Sequence, residues 1–317
     1  MTATEYAVSV PVATVWTGRD APRDGDAAAT ADRPDLVAWT ASMDAATRLG
    51  LHGRTLTQAL LGEPVVPSEE RAGWVRVTLP WQPSNRDADG YPGWVRAAHI
   101  GSAPRRGDRT VVVTTPTAAC RTRDGAIALS YGTILPVGDV ADVAPDTDAG
   151  TEETTVELPG GRTGRVPTGR VRAAGPDPGG TDAGVAGWAK PMLDSARQFL
   201  GLRYLWGGTC GWGLDCSGFV HLVHRVYGRP VPRDALDQLP AARPVPLEAA
   251  RPGDLYFFAG AGERASHVGF VTGSPGAGPP SMLHAPEGTE RIEETALAPS
   301  RLETLVGAGG FAPEVAP

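Results

Sequence analysis

The chain has 317 residues, 41% of them hydrophobic and 21% charged, with a formal net charge of -7. That acidity supplies no field for nucleic acid or an anionic membrane surface, and no apolar run approaches the roughly 18 residues of a membrane helix. The 41 glycines and 30 prolines favour many short strands and turns over a helical bundle.

The N-terminal stretch "MTATEYAVSVPVATVW" lacks a basic segment followed by a long apolar one, so it reads as a first strand and not as a signal peptide. A cytoplasmic location is the matching expectation. Alternating strand-like runs, "YAVSVPVATVW" and "GWVRVTLPW", flank a helical stretch, "DLVAWTASMDAATRLG". The repeated "GWVR" at 73–76 and 93–96 resembles the strand signature of bacterial SH3-like domains, with Trp74 and Trp94 read as barrel core. Further on, "RTVVVTT", "IALSYGTILPV" and "ETTVELP" are short β runs divided by turns. The stretch "AAGPDPGGTDAGVAG" has the composition of a flexible linker, and an α+β pattern begins at Trp188. The expected organisation is a first SH3-like barrel with a helical insertion (1–103), a second barrel (104–175), a linker (176–187) and an α+β domain (188–317).

Cys120, Cys210 and Cys216 are odd in number and have no paired C-x-x-C spacing, so they imply neither a disulfide framework nor a structural zinc site. Cys120 reads as a core or turn residue and Cys210 as a loop thiol without a role. Cys216 differs. In "GLDCSGFVHLVHRVYG" it opens an amphipathic helix, with Phe219, Val220, Val223, Val226 and Tyr227 on one side and His221 and Arg225 on the other. A thiol at a helix N-terminus is expected to ionise more readily, and the free N–H groups there can hold an oxyanion. The glycine-rich approach "WGGTCGWG" lets a substrate backbone come close.

A nucleophilic cysteine needs a base, and six histidines are available: 52, 99, 221, 224, 267 and 284. His52 and His99 fall in the barrel region. His221 and His224 have helical spacing but no third ligand nearby, so both read as solvated and no metal is expected. His267 starts the strand "SHVGFVTG", and His284 comes late in "SMLHAP" after the turn "SPGAGPP". An antiparallel hairpin brings them to one end, where one imidazole can take the thiol proton while the other holds its tautomer. A pair of unrelated histidines beside a turn is the other reading.

The segments "GLRYLWGG…GLDCSGFV", "VPRDALDQ", "RPGDLYFF", "SHVGFVTG" and "MLHAPEG" resemble, in order and spacing, the NlpC-type papain-like cysteine peptidases, which cut bacterial cell-wall peptides. The resemblance spans 188–317. It implies Cys216 as nucleophile, His267 as base, His284 as the third polar residue and Tyr204 as an oxyanion-hole partner. Two positions depart from the family pattern: Arg203 stands where proline is usual, and Asp234 where a small hydroxylated residue is usual.

Two SH3-like domains ahead of such a domain resemble the subgroup that cuts γ-D-glutamyl–diamino acid bonds in murein peptides with a free N-terminal L-Ala. That resemblance implies that Asp215 pairs with the substrate ammonium, that Ser217 helps hold the peptide, that Trp206 and Tyr204 wall the pocket, and that Tyr91 closes one end. It also implies a recycling role, releasing L-Ala-γ-D-Glu with no cofactor. The alternatives are a secreted hydrolase of intact wall peptides, a non-catalytic wall-binding protein, and an acyltransferase or amidase acting on another amide. The third peptide residue (meso-diaminopimelate or L-lysine) and the oligomeric state stay open.

Overall fold

A computed structural model describes residues 5–139, 152–175, 184–260, 264–273, 278–287 and 291–311. The chain forms two compact units, Met1–Ala174 with Thr209–Trp212, and Gly175–Gly208 with Gly213–Pro317.

The first unit is all-β apart from short helical turns. Its seven-stranded antiparallel sheet runs, in spatial order, Thr55–Leu60, Val12–Trp16, Tyr91–Arg96, Trp74–Leu79, Pro64–Arg71, Tyr6–Val8 and Ile100–Ser102. Val75 lies opposite Val95, and both point inward with Val15, Val77 and Leu79. Period-two alternation therefore turns Trp74 and Trp94 away from the core. Trp74 is covered by Arg96 (5.5 Å to the ring centroid) and Trp94 by Arg19 (5.9 Å), so the expectation that these tryptophans form the core is corrected. The fully buried indoles are Trp16 and Trp39. The expected insertion helix is two short ones, Leu36–Ser42 and Ala45–Leu49, because Asp44 caps the second by accepting from Thr47 N.

The second barrel has two antiparallel sheets, one of Gly125–Ser130, Thr117–Thr122, Arg162–Pro167 and Glu153–Leu158, the other of Ile134–Pro136, Thr110–Val113 and Val171–Ala173. Cys120 is buried in its core beside Leu129, Leu158 and Val166, and burial pushes its thiol up to about 12. Four residues of the loop before Cys216 group with this unit: Thr209 N donates to Gln58 Oε1 (3.0 Å) and Gly211 N to Ser130 Oγ (2.9 Å). Cys210, between them, is buried and forms no disulfide.

Most of the expected linker, 176–183, lies outside the described residues. Its last four positions are helical, since a helix runs from Gly184 to Arg197. In this second unit that helix and Cys216–Val226 accompany a six-stranded antiparallel sheet. Its order is Arg243–Val245, Leu305–Gly310, Leu255–Phe258, His267–Gly273, Ser281–His284 and Glu293–Ala296. The Cys216–Val226 helix is central. Phe219 meets Phe270 of the sheet edge-on at 5.4 Å and Phe199 at 6.0 Å.

All eleven residues of that helix are buried, which corrects the expectation that His221 and His224 are solvated. His221 Nδ1 donates to Val231 O and His224 Nδ1 to Val220 O, each at 2.8 Å. The His224 ring sits among Trp188, Phe270 and Phe311. Burial pulls His221 down to about 3 and His224 down to about 4. Both folded values lie below that of an exposed imidazole, so below about pH 6.5 the unfolded chain binds the extra protons and stability falls as pH drops towards the folded values. Each histidine is expected to remove about 2 kcal/mol of stability between pH 7.5 and pH 5. Urea denaturation midpoints at the two pH values measure it, and equal midpoints would show that the buried imidazoles do not drive acid sensitivity.

Candidate active site

Cys216 begins its helix because Asp215, in an extended conformation, caps it: Asp215 Oδ1 accepts from Gly218 N at 2.6 Å. Gly218 has no substitute here, since a Cβ would come within 2.2 Å of the Gly208 carbonyl oxygen. The D-C-S-G motif thus contains a cap, a thiol and a close backbone approach in consecutive positions.

The Cys216 thiol lies 3.9 Å from the carbonyl oxygen of Ser266, the residue immediately before His267. The hairpin forms with Phe270 opposite Leu283 and Val271 opposite Met282, and it brings the two histidines together. His267 Nε2 and His284 Nδ1 are 2.8 Å apart with their rings nearly perpendicular. That contact occupies His267 Nε2 and leaves Nδ1 outside the histidine pair. Gly269 makes room for this pairing, because a Cβ there would meet the His284 Cβ at 2.8 Å.

The electrostatics differ from the sequence expectation. Burial and the Asp215 carboxylate push the Cys216 thiol up to about 12, against smaller opposing contributions from the Val268 and Ser217 N–H groups. Burial also pulls His267 well below the usual imidazole range and His284 down to about 4. At neutral pH the site rests as a neutral thiol and neutral imidazoles, and ionisation requires proton transfer between them. Desolvation outweighs the helix terminus.

Tyr204 is buried, and burial together with the Cys216, Asp215 and Glu287 charges raises its hydroxyl well above its ordinary value, so it stays an O–H donor. Its ring lies 6.5 Å from the half-buried Trp206. Asp215 and Ser217 are held by a residue that the sequence reading left without a role. Arg233 donates to Asp215 Oδ1 (3.0 Å), Asp215 Oδ2 (2.6 Å) and Ser217 Oγ (3.1 Å), with only 1% of its side chain exposed. The usable signal was the P-R pair in "VPRDALDQ", a cation in an otherwise apolar approach to a helix. Tyr91 is described with the first unit, where it packs in the barrel core with the Arg86 guanidinium 5.3 Å from its ring centroid. Among the described residues no group of three or more His, Cys, Asp or Glu side chains is placed to hold a metal ion, and no helix is long and apolar enough to cross a membrane.

A cysteine opening a central helix, packed on a strand whose first histidine is held by a second polar residue, defines a papain-like thiol peptidase. The chain belongs to the NlpC/P60 family of cysteine peptidases, whose pattern it matches over residues 201–304. Residues 51–100 match the bacterial dipeptidyl-peptidase SH3 domain. It is 33% identical over 296 residues to the gamma-D-glutamyl-L-lysine dipeptidyl-peptidase of Bacillus subtilis, covering 91% of this chain and 92% of that one. The Bacillus cereus protein of the same name is 32% identical over 96% of this chain and 90% of its own. A crystal structure of an NlpC/P60 family protein from Bacillus cereus superposes with a TM-score of 0.84 at 29% identity, covering 98% of this chain and all of that one.

Proposed function

We propose that the protein hydrolyses the γ-D-glutamyl–diamino acid bond of murein peptides bearing a free N-terminal L-Ala, releasing L-Ala-γ-D-Glu. The observation that carries the chemistry is the 2.8 Å His267–His284 contact, which leaves His267 Nδ1 as the base for a thiol at the adjacent helix terminus. The choice of bond follows the activity for which the two Bacillus relatives are named.

In this reading His267 Nδ1 takes the Cys216 proton, and the thiolate attacks the γ-carbonyl carbon of D-Glu. The Cys216 N–H and the Tyr204 hydroxyl receive the oxyanion. Collapse expels the α-amine of the diamino acid, which takes its proton from the His267 imidazolium. Water, deprotonated by His267, then cleaves the thioester and frees the γ-carboxylate and the Cys216 thiol.

Asp215 is the partner proposed for the L-Ala ammonium. Of a carboxylate's roughly four acceptor directions, Oδ1 uses its own on Gly218, Arg233 and Ser217 while Oδ2 meets Arg233 alone, so one direction on Oδ2 remains. Arg233 cancels most of the long-range charge, so the proposed recognition is a short directional bond, reinforced by Ser217 and bounded by Trp206. Such a bond rejects an N-acetylated peptide by stranding a buried acceptor. Steady-state rates on L-Ala-γ-D-Glu-L-Lys and its N-acetyl form are expected to differ by about 100-fold in kcat/KM. Equal rates would remove the free-amine requirement, and with it the recycling role proposed for the enzyme.

A further inference from the structure

The tautomers of the two histidines are linked. For His267 Nδ1 to accept the thiol proton it must be bare, so the ring proton sits on Nε2 and points at His284 Nδ1. His284 Nδ1 is then an acceptor, and its own proton occupies Nε2. That N–H is buried, with 3% of the His284 side chain exposed, and it meets no hydrogen-bond partner within normal length. A buried N–H without an acceptor is unfavourable enough to shift the whole chain. The opposite arrangement, with protons on His284 Nδ1 and His267 Nδ1, blocks the base.

The acceptor that stands closest is on the edge strand. His284 lies directly opposite Glu293 in the antiparallel register, so their side chains share a face. Glu293 Oε1 is 3.4 Å from His284 Nε2, and half of the Glu293 side chain is exposed. The next residue, Glu294, points the other way and is engaged by Arg197 at 2.8 and 2.9 Å. The two adjacent carboxylates therefore divide the work of the strand, one pairing with a surface arginine and the other facing the site.

We infer that Glu293 is a positioning residue, the fourth member of a chain Cys216–His267–His284–Glu293, which selects the tautomer in which His267 can act as base. This rests on the thiol-peptidase reading but not on which peptide is cut. The other charge acting on the pair is the Arg301 guanidinium, from the helix Pro299–Glu303, and the titratable Cys216 lies against Ser266, the residue before His267. Arg301 disfavours positive charge on both rings, whereas a carboxylate 3.4 Å from His284 Nε2 favours it. At 3.4 Å the contact is loose in the resting state, where both imidazoles are neutral. It strengthens when His267 gains the thiol proton, which makes it a contribution specific to the reaction.

The test pairs a substrate-independent readout with kinetics. Nitrogen-15 spectra of histidine-labelled enzyme at neutral pH report which ring nitrogen carries each proton. The expected result is His284 protonated at Nε2 in the wild type, with a mixture of tautomers appearing in Glu293→Ala. In the same variant kcat falls by about tenfold at unchanged KM, as for loss of a group that assists proton transfer. Glu293→Gln keeps an acceptor oxygen and removes the charge. It retains the Nε2–H tautomer, while the acidic limb of its kcat profile, set by deprotonation of the imidazoles, moves about half a pH unit towards acid. The proposal is overturned if His284 carries its proton on Nδ1 in the wild type. It is equally overturned if Glu293→Ala leaves the tautomer unchanged, whatever happens to its rate or melting temperature. Loss of activity on every peptide tried, with the tautomer shift intact, would count against the substrate assignment alone.

Discussion

Cys216→Ala is expected to lower kcat by about 10⁵-fold while leaving the fold intact, because no other described group can take over as nucleophile. The nearest hydroxyl on the motif, Ser217, is turned to Asp215 and Arg233. The thiol itself contributes little to packing energy: it sits at the helix terminus and its replacement deletes one sulfur atom. The melting temperature is therefore expected to move by only a few degrees, for a stability change of about 1 kcal/mol. Cys216→Ser is expected to be nearly as inactive, since burial that already holds a thiol near 12 penalises an alkoxide more heavily. Residual turnover above about one part in a hundred in either variant would contradict a covalent thioester route.

Arg233→Ala is expected to be the most destabilising single change near the site. Its guanidinium makes a bidentate pair with Asp215, at 3.0 and 2.6 Å, where only 1% of the Arg233 side chain and 10% of the Asp215 side chain are exposed. Removing the cation leaves a buried carboxylate satisfied only by the Gly218 N–H and Ser217. Breaking such a pair from one side costs about 3–5 kcal/mol. For a chain of this size that corresponds to a fall of about 5–8 °C in melting temperature. The double variant Arg233→Met with Asp215→Asn is expected to recover part of the loss, because the stranded charge is gone as well. A single-variant shift below about 2 °C would mean that water or a neighbour already compensates the carboxylate.

The geometry of the candidate site is legible in the sequence where it is local. A helix beginning at Cys216 followed from the spacing of apolar residues, and the meeting of His267 and His284 followed from two strands and a short connection. What the sequence hid was tertiary. The wheel put His221 and Arg225 on a solvent face, but a helix packed on all sides has no solvent face. Size alone argues for Trp74 and Trp94 in the core, but the smaller valines beside them occupy it, because alternation, not size, decides which side of a strand points inward. The thiol was expected to be acidified by its helix terminus, and the depth of its burial reversed that direction. Arg233, Gly269 and Glu293 act through contacts between distant segments. Each is ordinary in sequence and specific only once the sheet register and the Asp215 cap are known.

The most direct test of the account is mass spectrometry of the enzyme mixed with L-Ala-γ-D-Glu-L-Lys, quenched in acid at short times and again at completion. The expected result is an intact-protein adduct equal to the acyl dipeptide, mapped to Cys216, followed by accumulation of L-Ala-γ-D-Glu and free lysine. Products without an adduct on Cys216 under any quench, and undiminished in Cys216→Ala, would contradict it.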